Sequence, residues 1–177
     1  MARASVLSDK TTAGCECAAY GHLELDRESI NQRIRDTPSI KQRLDAIAHH
    51  SAGGAALLRC RACGQLWQSS RAWNWGSKEY VFKVPDIPAG EWLRQPYVQP
   101  DSLLIYAAVM ADFLECNDFA ASAGQCRVEG CQNNAIEGVG ACLEHHIAAL
   151  QDIGALPTLP RGRRFAPYAT PERAEPA

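Results

Sequence analysis

The sequence has little of what marks a membrane protein or a secreted protein. It contains no run of about 18 apolar residues, so no transmembrane helix is expected. The first residues, MARASVLSDKTTAGCEC, include no apolar segment of signal-peptide length. Eight cysteines among 177 residues fall below the density of a secreted disulfide scaffold. We therefore expect a reducing, cytoplasmic setting, where clustered cysteines are more typically metal ligands than disulfides.

A strong charge of either sign is also missing. Charged residues make up 21% of the chain and the formal net charge is −2, so the composition gives no reason to expect a nucleic acid or a membrane surface as partner. The sequence shows no Ser/His/Asp arrangement, no glycine-rich phosphate loop and no isolated carboxylate pair. These absences favour a protein without enzymatic activity.

What the sequence does contain is a grouped arrangement of cysteines. They form close pairs or stand near a histidine, and only Cys116 is left over. Tetrahedral zinc takes four thiolates, or three thiolates and one imidazole, and closed sites of this kind are structural. The sequence therefore predicts two zinc ions. The candidate ligands are Cys15, Cys17, Cys60 and Cys63 for the first, and Cys126, Cys131, Cys142 and His145 for the second.

The first set is built around Cys60-Arg61-Ala62-Cys63-Gly64. A predicted strand enters this turn and another, at 65–68, leaves it, which is the arrangement of a zinc-ribbon knuckle. Gly64 would permit the bend in the backbone. Iron, either as a single ion or in a cluster, is the alternative for four thiolates, and a redox dithiol is a further one.

The second set lies in CRVEGCQNNAIEGVGACLEHH, residues 126–146. A turn, a short strand at 132–136 and a second turn are followed by a helical pattern from Ala141. Cys142 and His145 are three residues apart, so they lie on one face of that helix. His146, four residues from Cys142, is the competing ligand.

The pattern C-x4-C…C-x2-H in residues 126–146 resembles a short treble-clef-like zinc motif of many bacterial and phage proteins, some of them associated with His-Asn-His endonucleases. The resemblance covers only this stretch. It implies zinc ligation by the same four residues and carries no function. The Arg-rich helix that often follows the motif is missing here, and no His-Asn-His constellation is present.

The remaining patterns predict a small α+β protein. Residues 26–50 read as one broken helix or two short helices with a break at Thr37-Pro38, and 79–84 reads as a strand. The proline-rich segment 85–101 is expected to be extended. A helix that begins at Pro100 or Asp101 is apolar on nearly all sides, so we expect it to be the central buried helix.

Three regions follow from this organisation. Residues 1–100 would hold the helical insertion, the ribbon-like site and aromatic-rich strands, and 101–156 the central helix and the treble-clef-like unit. Residues 157–177 contain five prolines and four arginines and are expected to form a flexible tail. A chain ending at Leu156 should then melt close to the full chain.

The leading functional hypothesis is a non-enzymatic, zinc-stabilised protein-binding module, such as a bacterial immunity or accessory protein. Trp92, Arg94 and Tyr97 are the candidate contact residues, because Trp, Tyr and Arg are frequent at interfaces. Residues 85–120 carry six acids and one base, which favours a basic protein as partner.

Two alternatives remain. A nucleic-acid-binding protein would use RGRRF (residues 161–165) and the basic segment 33–43. A zinc deaminase would use His22 and Cys60-x2-Cys63 as ligands with Glu24 as the proton shuttle, although Cys15 and Cys17 would then have no role.

Overall fold

A computed structural model describes residues 15–51 and 53–169. The described chain divides into two units. The first runs to Tyr97 and includes the C-terminal segment from Gly162, and the second is Val98–Arg161. Helices and strands occur in both, which confirms the prediction of a small α+β protein.

Helix α1 (Arg27–Lys41) opens the first unit. The Asp26 carboxylate caps its N-terminus by accepting a hydrogen bond of 2.8 Å from the Ser29 N–H. The helix passes through Pro38 without the predicted break. At that point the Thr37 hydroxyl donates to the Arg33 carbonyl (2.7 Å) and accepts from the Val81 N–H (3.1 Å), which fastens the last turn to the sheet.

The prediction of a helix in the second half of residues 26–50 is wrong. Residues 44–50 form strand β1 (Leu44–His50), which pairs with β2 (Ala55–Cys60) from Leu44 opposite Cys60 to His50 opposite Ala55. The spacing of Ile40, Leu44 and Ile47 fits a helix, but pairing with β2 satisfies the backbone instead. Local spacing therefore yields to tertiary structure here.

Four antiparallel strands form the sheet in the order β1-β2-β3-β4. The other two strands are β3 (Leu66–Ala72) and β4 (Lys78–Lys83). The predicted strands on either side of Cys60–Cys63 and near 79–84 are thereby confirmed. Helix α1 packs on β4. Trp67 of β3 and Tyr80 and Phe82 of β4 are fully buried.

A buried glutamine anchors the chain that follows the sheet. Gln68 is inaccessible to solvent, and its Oε1 accepts from Trp92 Nε1 (2.7 Å) and from the Tyr97 N–H (3.0 Å). Its Nε2 donates to the Tyr97 carbonyl at 2.8 Å. Because every polar atom of the amide is paired, this group stabilises the core instead of costing a desolvation penalty.

This anchor corrects the predicted contact surface. Trp92 lies in a short helix, α2 (Ala89–Arg94), inside the segment expected to be extended, and its ring is 0% exposed. Tyr97 is 5% exposed, so only Arg94 of the three candidates is on the surface. The hydrogen bond from the indole N–H to Gln68 holds the Trp92 ring inward, and the bonds between Gln68 and the Tyr97 backbone anchor the chain at that residue.

The C-terminal segment also differs from the flexible tail that was expected. The Arg163 N–H donates to the Pro96 carbonyl at 3.0 Å, and Phe165 packs edge-on against Tyr97 with ring centroids 5.0 Å apart. Tyr168 is 6% exposed and its hydroxyl donates to the Leu23 carbonyl at 2.6 Å. Burial raises the pKa of Tyr168 to about 12. The rest of the predicted tail, 170–177, lies outside the described residues.

Replacing Tyr168 with alanine is therefore expected to destabilise the first unit by about 3 kcal/mol, because a buried aromatic ring is removed. Tyr168→Phe should cost only about 1 kcal/mol, the usual contribution of one hydrogen bond. A chain ending at Arg161 should lose at least as much as Tyr168→Ala. Denaturant unfolding measures the stability of all three. A truncated chain as stable as the full one would show that the tail is dispensable for folding.

The second unit contains helix α3 (Pro100–Glu115), the two-stranded sheet of β5 (Ala121–Gln125) and β6 (Asn134–Ile136), and helix α4 (Leu143–Asp152). The predicted positions of α3, β6 and α4 are confirmed. The prediction that α3 is buried is wrong, because burial is confined to its first turn, at Pro100, Asp101 and Leu103. No helix in the described ranges combines the length and apolarity required to cross a bilayer.

Candidate metal centres

The first predicted ligand set comes together at one end of the sheet. The Sγ atoms of Cys15, Cys17, Cys60 and Cys63 all lie within 4.8 Å of one another. Cys15 Sγ is 3.6 Å from Cys60 Sγ and 3.2 Å from Cys63 Sγ. A disulfide would require about 2.05 Å, whereas sulfurs at about 2.3 Å from a tetrahedral zinc ion are about 3.8 Å apart. The four thiols therefore form a group that could hold a metal ion.

The turn between β2 and β3 positions two of these ligands. Cys60 is the last residue of β2, and its N–H donates to the Gln65 carbonyl at 2.9 Å. The Gly64 N–H donates back to the Cys60 carbonyl at 3.0 Å, and Gly64 has φ 79°. This left-handed conformation is one that glycine adopts without strain, so the glycine identified in the sequence allows the turn to close around the site.

Backbone dipoles favour the thiolate form in this turn. Burial opposes the ionisation of Cys60, but the N–H groups of Cys63 and Ala62, together with hydrogen bonds from the Cys17 and Cys15 thiols, lower the pKa of the Cys60 thiol to about 7. Burial raises the pKa of Cys17, whose thiol lies beside the three others. A metal ion binds thiolates, so a bound cation would offset the cost of bringing four of them together.

Aromatic side chains cover the buried side of this group. Trp67 is 0% exposed and meets Tyr20 edge-on with ring centroids 5.9 Å apart. Cys15, Cys17 and Tyr20 pack against the same hydrophobic cluster as Trp67. The first centre is therefore part of the core of its unit, and only Cys63 is exposed.

The second predicted ligand set also comes together. The ligand atoms of Cys126, Cys131, Cys142 and His145 lie within 4.8 Å of one another. His145 Nδ1 is 3.4 Å from Cys126 Sγ and 3.3 Å from Cys142 Sγ. A nitrogen and a sulfur on one tetrahedral zinc ion are separated by about 3.6 Å. Nδ1 is thus the imidazole nitrogen that faces the site.

Three local structures supply these ligands. Cys126 follows β5, and the turn to Cys131 contains Gly130 with φ 79°. Cys142 occupies the N-cap position of α4, and His145 lies in the first turn of that helix. The hydrogen bond from the His145 backbone N–H lowers the pKa of the Cys142 thiol. A thiolate at a helix N-terminus is also favoured by the helix dipole.

The competing histidine points elsewhere. The His146 ring lies 6.4 Å from the rings of both Phe113 and Phe119, measured between centroids, and does not belong to the ligand group. This packing explains the choice between two adjacent histidines, because successive helical positions are rotated by about 100°. The three-residue spacing from Cys142 predicted the correct one.

The remaining candidates lie outside both groups. Cys116 is exposed at the end of α3, with its Sγ 3.7 Å from Asp112 Oδ1. His22 packs against Phe165 with centroids 6.1 Å apart, and the group that forms around Cys60 and Cys63 contains Cys15 and Cys17 instead. The ligand set of the deaminase hypothesis is therefore not the one that the described residues assemble.

Sequence reasoning missed two exposed apolar features. Trp73, in the turn between β3 and β4, is 72% exposed. Its position in Trp-Asn-Trp-Gly-Ser between two strands was the available signal. The exposed part of α3 had no such signal, because an apolar helix usually indicates burial.

Comparison with models of known protein families, with curated proteins and with solved structures gave no match.

Proposed function

We propose that the protein is a non-enzymatic protein-binding module in which one zinc ion stabilises each unit. Each ligand group offers four protein atoms, which complete a tetrahedral coordination sphere and leave no position for a substrate. Such a centre stabilises a fold instead of activating water. The cytoplasmic setting and the bacterial immunity or accessory role stay predictions from the sequence.

The donor atoms support zinc as the metal. Three thiolates and one imidazole in tetrahedral arrangement are a common structural zinc set, and four thiolates are another. Of the two groups, only the one with four thiolates would suit iron as well as it suits zinc. Elemental analysis of the protein purified without added metal distinguishes the two.

The observation that carries a binding function is the exposed apolar face of α3. Leu114, which lies on this face, is 43% exposed. Leu104, Ala107, Ala111 and Leu114 follow one another at spacings of three, four and three residues. This spacing places them along one side of the helix, and we call them the α3 strip. None of its members is buried.

The size of the side chains in the α3 strip favours a helix as the partner element. Ala107 and Ala111 lie in the middle of the strip, between two leucines, and both are exposed. Small central residues let another helix approach closely, while the leucines pack at either end. A partner helix with apolar residues three and four positions apart would fit this surface.

The charge of the unit specifies the partner further. Between positions 98 and 161 the sequence has eight acids and two bases. Asp112 and Glu115 lie on α3 beside the strip and are exposed. A second copy of this unit would bring like charges together, whereas a helix with Lys or Arg beside its apolar positions would be attracted. We therefore propose a basic amphipathic helix as the partner element.

The test uses a synthetic amphipathic helical peptide with leucines at these spacings and lysines beside them. The full chain should bind it, and Ala111→Glu should weaken binding at least tenfold, because a charge would be buried in the interface. Ala148→Glu, an exposed position on α4, is the matched control and should change affinity less than twofold. Equal affinity for a peptide with glutamates in place of the lysines would contradict the proposal, as would unchanged binding by Ala111→Glu.

A further inference from the structure

The turn between β3 and β4 presents an aromatic ring to solvent. We call residues 71–78, from Arg71 to Lys78, the hairpin tip. Trp73 begins a short 3-10 turn there and is 72% exposed, the largest exposure of any described tryptophan. Gly76 (φ 67°) and Ser77 (φ 56°) both adopt the left-handed conformation, which closes the turn and fixes its shape.

Three cationic side chains surround this turn. Arg71 and Lys78 occupy the strand ends on either side of it, and both are exposed. Arg71 Nη1 donates to the Ser77 carbonyl at 3.4 Å. The third is Arg27, the first residue of α1, whose Cζ lies 5.1 Å from the centroid of the Trp75 ring. The guanidinium is therefore held at the base of the hairpin tip by a cation–π contact.

The acids in this neighbourhood are occupied by other groups. Glu79 lies opposite Arg71 in the sheet register, but its carboxylate pairs with Lys41 at 2.8 Å. Asp26 accepts the capping hydrogen bonds of α1, and Glu28 pairs with Arg35 at 2.9 Å. Among the described residues, no carboxylate forms an ion pair with any of the three cations of the hairpin tip.

Elsewhere in the first unit, most of the basic residues are compensated. Arg33 is buried and donates to backbone carbonyls, while Lys41 and Arg43 pair with acids at 2.8 Å and 2.7 Å. The basic segment 33–43 and the start of RGRRF, where Arg163 lies 3.9 Å from Glu91, are therefore poor phosphate sites. In the described part of the first unit, the hairpin tip brings together three cations that lack a carboxylate partner.

We propose that the hairpin tip binds single-stranded nucleic acid, with the Trp73 indole stacking on a base and the three cations contacting phosphates. A base needs one accessible face of an aromatic ring, and a projecting tryptophan at the end of a hairpin provides it. The surrounding cations then attract the backbone on either side of the stacked base. This site lies in the other unit from the α3 strip and adds a second activity to the proposed function.

The geometry favours this ligand over a protein. Tryptophan hot spots of protein interfaces lie near the centre of well-packed contacts, where neighbouring residues exclude water. The hairpin tip instead projects one ring among charged and polar residues, with Asn74, Gly76 and Ser77 all exposed. Base stacking depends less on such surroundings, because every base has a π-face.

The test measures fluorescence anisotropy of a labelled oligothymidine of about 10 nucleotides with the full chain. Binding should weaken roughly 20-fold between about 50 mM and about 200 mM salt, as about 0.7 counterion is released for each of three phosphate contacts. Duplex DNA of the same length should bind more weakly, because its bases are not accessible for stacking. No binding of the oligothymidine at the lower salt concentration would overturn the proposal.

Variants separate stacking from general attraction. Trp73→Ala should weaken binding about tenfold, the effect of losing one base–aromatic stack, and Trp73→Phe should stay within about threefold of the unaltered chain. Lys78→Gln should reduce the salt slope by about 0.7. Arg94→Gln, an exposed cation on α2, is the matched control and should leave both quantities unchanged.

Three results would refute the site. One is unchanged affinity in Trp73→Ala, and another is an equal loss in Lys78→Gln and Arg94→Gln. The third is a Trp73-dependent affinity for polyglutamate, or for vesicles with anionic headgroups, that equals the affinity for the oligothymidine. Because the proposed function concerns the α3 strip, binding of the amphipathic peptide should be unaffected by Trp73→Ala, so the two proposals fail independently.

Discussion

Replacing His145 with alanine is expected to lower the metal content from two ions per chain to one and to unfold the unit that contains Val98–Arg161. His145 Nδ1 lies against the sulfurs of both Cys126 and Cys142, so the variant loses one of the four ligand atoms and the one that the first turn of α4 supplies. Structural zinc contributes about 10 kcal/mol or more of folding free energy in small metal-binding peptides. The short elements of this unit offer little to replace that contribution.

The composition of the unit supports a loss of this size. Strand β6 has three residues and β5 has five. Helix α4 has no fully buried residue. The hydrophobic cluster around the site consists of Cys126, Ala141 and Cys142, with Cys131 and Val139 packed against it, so three of its five members are ligands. Without the metal, the cluster retains almost no apolar surface of its own.

His146→Ala is the matched control for this prediction. It removes a ring of the same type from the adjacent position, and that ring packs on Phe113 and Phe119 outside the ligand group. We expect it to keep both metal ions and to lose no more than about 2 kcal/mol of stability. Elemental analysis and circular dichroism decide the outcome. Retention of two ions by His145→Ala, or release of one by His146→Ala, would reverse the assignment.

The two groups of candidate metal ligands were the most predictable part of this protein because ligand chemistry restricts the sequence strongly. A thiol or an imidazole must appear at each ligand position, and close pairs must lie on turns that aim both side chains at one point. All eight predicted ligands are found in the two groups. The spacing from Cys142 also selected His145, since one face of a helix is set by its period.

The structures between the centres were less predictable because their patterns are ambiguous. Ile40, Leu44 and Ile47 fit a helical period, yet Leu44 begins β1, where pairing with β2 decides the outcome. Trp92 and Tyr97 have the composition of a contact surface, but Gln68, more than twenty residues earlier, accepts hydrogen bonds from the Trp92 indole and from the Tyr97 backbone. No local sequence pattern reveals a hydrogen bond over that distance.

Helix α3 illustrates the opposite error. Its apolar composition from Leu103 to Met110 predicted a buried helix, and burial is the usual outcome for such a sequence. The structure buries only its first turn and leaves Val109 and Leu114 at about two-fifths exposure. Hydropathy measures the tendency of a helix to leave water. Its apolar side chains can be buried either in the chain's own core or against a binding partner.

Replacing Trp92 with alanine is expected to destabilise the first unit by about 3–5 kcal/mol, because a fully buried indole leaves a cavity that the sheet cannot fill. The variant also removes one of the two donors to Gln68 Oε1, although the Tyr97 N–H would still bind that oxygen. Trp92→Phe separates the two effects. It keeps most of the ring but lacks the indole N–H, so we expect a smaller loss of about 1–3 kcal/mol.

The neighbouring residue of α2 provides the control. Leu93 is next to Trp92 in the chain but is 42% exposed, so Leu93→Ala should cost less than about 1 kcal/mol of stability. Denaturant unfolding of the three variants measures these differences in free energy. If Trp92→Ala unfolds at the same denaturant concentration as Leu93→Ala, the indole is not a core residue in solution. Trp92 would then again be a candidate contact residue, in addition to the α3 strip, because a ring that contributes nothing to folding is free to contact a partner.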